Sequence, residues 1–293
     1  MGLIQLLFGV LLTSYSVIMA VFFRYPHFYS FFTTGSFLFF DSIDYLFTGN
    51  SILRSLLKKA NVKALFIFFA ISTIFCFWVD YIYGVRLTKM WEWPQYKTIH
   101  FWRMYLVMNP TFVLGSYELY SIFKHLLKKT IDDKIKYPKT ADFFSNKLLS
   151  KYGLFTGILF LLAPLYILFT PKAPLIEYAM LFPFISVLLI PDTITLKNKK
   201  EPFIAKLVGF NLLEVSALIT TVLISSVTTE LLNTFAHEWM YLNMPFINVK
   251  AAGVPVSVFI GWIPLVAGTI AIVNTIKQTY IEPEAPKKYK INV

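Results

Sequence analysis

The sequence predicts an all-α polytopic membrane protein of about eight transmembrane helices, built as two parallel four-helix repeats. Three observations carry that expectation. First, the 293 residues are 57% hydrophobic and 15% charged, where a soluble domain carries about 25% charged residues. Second, apolar runs recur near 2–23, 27–49, 61–83, 101–123, 151–170, 173–191, 204–229 and 253–276. Each is close to the roughly 20 residues a helix needs to cross the hydrocarbon core, and too continuously apolar for barrel strands. Third, the basic residues are unevenly shared. With eight spans, twenty Lys and Arg fall on the side that holds both termini and seven on the other. That bias puts both termini in the cytoplasm of a cell-membrane protein. It also gives the net charge of +11 a topological meaning, with anionic membrane lipid as a partner and no nucleic acid.

The elements follow in order. Residues 2–23 lack a basic leader and exceed the apolar core of a signal peptide, so they read as a retained first span. The second run ends at Asp41 and Asp44 and leads into the turn Thr48-Gly49-Asn50-Ser51. The third holds Cys76, the sole cysteine, expected as a small core residue, and finishes at Asp80. A polar, aromatic segment, Trp91-Glu92-Trp93-Pro94-Gln95-Tyr96, precedes the fourth run, which Pro110 is expected to break, with Asn109 serving a freed carbonyl. Residues 1–123 thus form a first membrane half, and 124–150 a basic cytoplasmic linker. Residues 151–281 form the second half, and 282–293, with Pro283 and Pro286, a disordered tail.

The second half echoes the first. Pro191-Asp192 and a basic turn answer Asp41 and its turn, and Glu230 or Asn233 answers Asp80. His237-Glu238-Trp239-Met240-Tyr241 answers the Trp91–Tyr96 segment, and Pro264 with Gly268 answers Pro110 with Gly115. Equal orientation of the halves implies a pseudo-two-fold axis along the membrane normal.

Ionisable groups inside spans are costly and face a bundle interior or a cavity. Glu214, near the middle of the seventh run and three residues after Asn211, is a candidate for a polar pocket or a helix fastener. Two-fold packing of the halves predicts that the acids of the two outer segments, Asp80 and Glu92 with Glu230 and Glu238, converge at an outer-leaflet pocket. Trp91, Trp93, Trp239 and Tyr241 would roof it, with Asn233 beside them; equally, such aromatic residues gather at any membrane interface. In that pocket Glu230 and Asp80 are candidate catalytic acids. Asp41 and Asp44, on one helical face, suit either Mg²⁺ with a diphosphate or a helix end paired with Arg54 or Lys58. No phosphate-binding loop, dinucleotide fingerprint or zinc-protease motif occurs, and His27, His100, His125 and His237 lack metal-site spacing. The expectation is therefore no cofactor and no metal.

Glu230-x-x-Asn233 followed by Trp239-x-Tyr241 resembles a signature of multispan bacterial and archaeal membrane proteins. More distantly, Trp239-x-Tyr241 with Gly253-Val254-Pro255 and Trp262 is similar to the integral-membrane carotenoid-modifying proteins, the carotenoid hydratases and small lycopene cyclases. Asp80, Trp93 and Asn109-Pro110 follow the same order in the first half. The sequence departs where those cyclases carry paired acids, with Thr111-Phe112 after Pro110 and Val256-Ser257 after Pro255. The resemblance spans roughly 120 residues and implies protonation of a polyene double bond, with a carbocation steadied by aromatic faces. Three function classes stay open: an enzyme acting on an isoprenoid or carotenoid ligand, a non-catalytic subunit with partner membrane proteins, and a transporter of a small solute or lipid.

Overall fold

The computed structural model describes residues 2–58, 62–170 and 178–281, apart from the side chains of residues 58, 98 and 99. The expected disordered tail from Glu282 and the start of the sixth apolar run lie outside the described residues. The chain is helical almost throughout, as an all-α fold requires. Five of its helical stretches are long and apolar enough to cross a membrane: Gly2–Val21, Val62–Leu87, Pro138–Leu168, Leu212–Ala236 and Val256–Ile281. Large apolar side chains stand bare on their outer faces, including Ile4, Phe66 and Phe155. A water-exposed surface of that kind is untenable for a soluble monomer, so the protein is membrane-embedded.

Helices α1 (Gly2–Val21) and α2 (Tyr29–Thr48) form an antiparallel pair. Gly9 and Gly35 let their backbones touch: a Cβ on Gly9 would meet Phe39 N at 2.6 Å, and one on Gly35 would meet Thr13 N at 2.6 Å. Small residues at such crossings replace the hydrophobic drive that lipid removes. Gly49, at φ 75°, closes α2 by donating its N–H to Tyr45 O. The short α3 (Ile52–Lys58) follows, then α4 (Val62–Cys76), which widens into a π-helix over Phe77–Leu87. Helix α5 (Thr98–Arg103) likewise passes through a π-helical turn, Met104–Met108, into α6 (Asn109–Leu127). The expected break at Pro110 is therefore a change of helical register rather than an interruption, since the π turn accommodates the missing N–H.

In the remainder, α7 (Pro138–Asp142) runs through a third π segment into α8 (Ser150–Leu162). It is followed by α9 (Leu181–Lys197), α10 (Phe203–Val208), α11 (Leu212–Ala236) and α12 (Val256–Ile276). Helix α12 continues unbroken across Pro264, contrary to the break expected there. Helix α9 packs on α12 and pairs with α8, as α2 packs on α6 and pairs with α1, and α6, α11 and α12 pack together at the centre.

The four two-residue strands gather at one end of the bundle. Strand β1 (Trp91–Glu92) pairs antiparallel with β2 (Met240–Tyr241), placing Trp91 opposite Tyr241. Strands β3 (Lys250–Ala251) and β4 (Val254–Pro255) form a hairpin. Ala252 and Gly253 turn it, both at positive φ (49° and 83°), as a two-residue hairpin turn demands.

Most buried carboxylates fasten helix ends. Asp41 accepts Leu53 N at 3.0 Å and Gln5 Nε2 at 2.8 Å, and Glu118 accepts Ile52 N at 2.6 Å, so both serve the open N–H groups that begin α3. Asp192 does the same for α10, accepting Phe203 N at 3.0 Å and Ile204 N at 2.5 Å. Asp44 accepts from Ser121 Oγ, and Arg54 stacks over Tyr45 rather than pairing with either acid. The Asp41–Asp44 pair thus serves helix capping and helix–helix contact.

Glu214 is not where the sequence placed it. The run 204–229 is broken at Gly209-Phe210-Asn211, with Phe210 at φ 54°, and Asn211 caps a new helix by accepting Glu214 N at 3.1 Å. Glu214 therefore sits in the first turn of α11. There it meets Lys124 Nζ at 2.7 Å, Lys206 Nζ at 2.9 Å and the hydroxyl of Tyr120.

Candidate functional site

At the strand-bearing end, α11, α12, the π segment of α4 and the π turn before α6 enclose a cavity of about 190 Å³. Asp80 and Glu230 both line it, as do Trp91, Trp93, Trp239 and Tyr241. The convergence of the two aromatic segments is achieved by the β1–β2 pairing, which joins Trp91 directly to Tyr241. The rest of the wall is almost wholly apolar, with Tyr29, Phe112, Met108, Phe184 and Trp262 prominent.

Each acid is held by one tryptophan N–H and one tyrosine O–H. Trp91 Nε1 donates to Asp80 Oδ1 at 2.7 Å, and the Tyr105 hydroxyl donates to Asp80 Oδ2 at 2.8 Å. Asp80 and Tyr105 both lie in π-helical turns, whose extra residue per turn aims them at one another. Glu230 differs in one respect. The Tyr241 hydroxyl at 2.8 Å and Trp262 Nε1 at 3.0 Å both donate to Oε1. Its Oε2 is buried and makes no hydrogen bond among the described residues. Oε1 is thereby saturated, and a proton on this carboxyl belongs on Oε2.

The Glu-x-x-Asn…Trp-x-Tyr pattern acquires a mechanical meaning. His237, at φ 53°, ends α11 in the left-handed conformation and donates its N–H to Asn233 O. The Asn233 amide then clamps the returning backbone: Oδ1 accepts Trp239 N at 3.1 Å, and Nδ2 donates to Trp239 O at 2.9 Å. That clamp delivers Tyr241 back to Glu230, and Trp239 Nε1 donates to the Tyr241 oxygen at 2.9 Å. Asn233 therefore positions the pocket instead of lining it, and Glu214, far along α11, lies outside it.

Two further polar atoms on the cavity wall are buried and make no hydrogen bond among the described residues, Trp93 Nε1 and Asn109 Nδ2. The carbonyl-satisfying role expected of Asn109 is absent, since its amide nitrogen makes no hydrogen bond. Cys76 packs against the buried cluster that contains Tyr105 and Met108, as a small core residue does, and also touches the cavity. Trp93 packs against Trp239 with ring centroids 5.2 Å apart, and Tyr29 against Trp239 at 5.1 Å.

Glu238 holds this end together. Its Oε2 accepts Tyr29 N at 2.8 Å, serving the first turn of α2, and its Oε1 accepts the Tyr96 hydroxyl. Burial pushes its carboxyl up to about 7, against the pull of those two donors and of Arg103. Nearby, His27 stacks on His100 with centroids 3.8 Å apart. Burial, reinforced by His100 and Arg103, lowers the His27 imidazole to about 4.

Of the four acids expected to converge, Asp80 and Glu230 line the cavity with the aromatic roof, whereas Glu92 and Glu238 do not. Nothing in the sequence marked Tyr29, Tyr105 and Phe112. These stand on helices as ordinary apolar-face aromatics, and only the π turns and the helix crossing reveal their direction. Compared with protein-family models, curated proteins and solved structures, the chain matches none.

Proposed function

We propose that this chain is a multi-pass membrane enzyme that binds one end of a lipid-soluble isoprenoid or carotenoid chain and protonates one of its double bonds with Glu230. The observation that carries this reading is Glu230 itself. One of its oxygens is fixed by two donors, and the other is unpartnered in an aromatic cavity. Pockets that enclose whole drug-sized ligands run to about 300–1,000 Å³. At about 190 Å³ this one fits a ring or a few branched carbons at the end of a longer molecule.

The chemistry balances without a cofactor. The proton on Oε2 bonds to one alkene carbon using the π electron pair, leaving the neighbouring carbon cationic. The carboxylate formed is steadied by the Tyr241 hydroxyl and Trp262 N–H already aimed at Oε1, a preorganised arrangement. The faces of Trp93 and Trp239 suit the cation. Loss of a proton from an adjacent carbon, directly or after ring closure by a second double bond, regenerates the acid. Asp80, with both oxygens engaged, positions Trp91 in the wall and is itself held from behind by Tyr105.

The topology belongs to the same proposal: eight spans in the cell membrane, both termini cytoplasmic, and two parallel four-helix repeats. Several features support it. Asp41 and Asp192 cap the next short helix 12 and 11 residues on. Asp80 and Glu230 have matching Trp and Tyr donors. A transporter reading loses its midplane acid, because Glu214 lies in the first turn of α11, paired with Lys124 and Lys206.

The test is gentle purification from the native membrane with mass spectrometry of what accompanies the chain. The proposal expects a stoichiometric prenyl or polyene lipid that Trp239→Ala strips away. Stoichiometric partner proteins with no such lipid would make the chain a structural subunit instead.

A further inference from the structure

A second cavity, of about 220 Å³, lies between α1, α2, α6 and α11. It shares three wall residues with the Glu230 cavity: Tyr29, Phe112 and Thr229. From that common wall it runs towards the middle of the bundle along Phe32, Ser36 and Leu119. Its flank at Ile224 and Thr228 reaches the exposed surface of α11, a helix long and apolar enough to span the membrane. We propose that this second cavity is the tail channel of the same ligand, entered sideways from the bilayer, and that it selects long linear prenyl or polyene chains over short ones. The inference rests on the Glu230 cavity being a ligand site, and it adds the chain length and the route of entry.

The geometry gives three reasons. The Glu230 cavity accommodates only an end group, so the rest of a long chain must leave it. The two cavities abut at Tyr29, Phe112 and Thr229, so that a turn of the Phe112 side chain is all that is needed to join them into one path. The lateral opening faces lipid, where such a chain is dissolved, so it enters without crossing water. Each added methylene that reaches an apolar wall strengthens binding by a roughly constant increment, so a channel of this kind is read directly by chain length.

The experiment measures binding of all-trans prenyl alcohols of increasing length, geraniol, farnesol and geranylgeraniol, to the full chain in nanodiscs. Quenching of the tryptophan emission from the Glu230 cavity reports occupancy. Wild type is expected to bind geranylgeraniol at least tenfold more tightly than geraniol. Ser36→Phe and Ser225→Phe fill the second cavity from opposite walls without touching the first. Each is expected to abolish that preference while leaving geraniol binding within about twofold. Equal affinity across the series in wild type, or a preference that survives both plugs, would overturn the channel while leaving the Glu230 site standing. Absence of quenching by all three alcohols would overturn the site and the channel together.

Discussion

The Tyr241 hydroxyl donates to Glu230 Oε1 at 2.8 Å across eleven residues of chain, and with Trp262 on the same oxygen it leaves Oε2 without a hydrogen bond among the described residues. Tyr241→Phe frees Oε1 from one donor and removes half of the stabilisation awaiting the carboxylate. A hydrogen bond to a charged group contributes about 1.5–3 kcal/mol, so proton transfer should slow by roughly tenfold to a hundredfold. Ligand affinity should hold within a few-fold. Single-turnover conversion of co-purified lipid, measured beside Trp262→Phe, checks both halves of that expectation.

Asn233 holds the Trp239 backbone from outside the cavity. Asn233→Ala breaks two bonds to the Trp239 backbone and leaves that buried N–H and C=O unserved, a loss of about 2–4 kcal/mol. The thermal midpoint in detergent should fall by several degrees, with a red shift of tryptophan emission as Trp239 loosens. Asn233→Asp keeps the acceptor for Trp239 N and should recover part of the loss.

Much of this was legible in the sequence, because apolar runs, charge bias and the pairing of acids with aromatic segments are properties of composition along the chain. The place of Asp80 and Glu230 on one cavity was in part legible, since each acid precedes an aromatic segment, and it is the β1–β2 pairing that joins the two segments. Glu214 was not. Its placement depended on seeing that Gly209-Phe210-Asn211 ends one helix and caps another inside an otherwise continuous apolar run. The π turns that aim Asp80 and Tyr105 leave no trace in residue type, because they arise from packing around Pro110 and the neighbouring helices.

Glu238 and His27 predict opposite pH responses at the strand-bearing end. The raised Glu238 carboxyl contributes stability that is complete below pH 4.5 and is lost as pH rises through about 7. The lowered His27 imidazole contributes stability that is complete above pH 6.5 and is lost as pH falls towards about 4. Between about pH 4.5 and 6.5 the two oppose each other and flatten the wild-type profile. Glu238→Gln should leave the His27 response alone, so that thermal stability climbs steadily from pH 4 to 6.5. A profile unchanged by the substitution would contradict the assignment.

Glu214 separates fastening from chemistry. Glu214→Gln leaves Lys124 and Lys206 close together without their shared carboxylate; with both lysines partly exposed and Lys206 still near Glu201, it should destabilise the chain by about 1–3 kcal/mol. Conversion of ligand at temperatures where the variant stays folded should be unaffected, which a thermal scan paired with a low-temperature turnover assay resolves.

The central claim is that Glu230 Oε2 donates a proton to carbon, and isotope exchange tests it most directly. The full chain with its co-purified prenyl or polyene lipid is transferred to D₂O, and the lipid is recovered for mass spectrometry. Wild type should place deuterium on carbon, while Glu230→Gln retains the lipid and places none. Equal labelling of the lipid by wild type and Glu230→Gln would contradict the claim, and so would wild-type lipid recovered without deuterium.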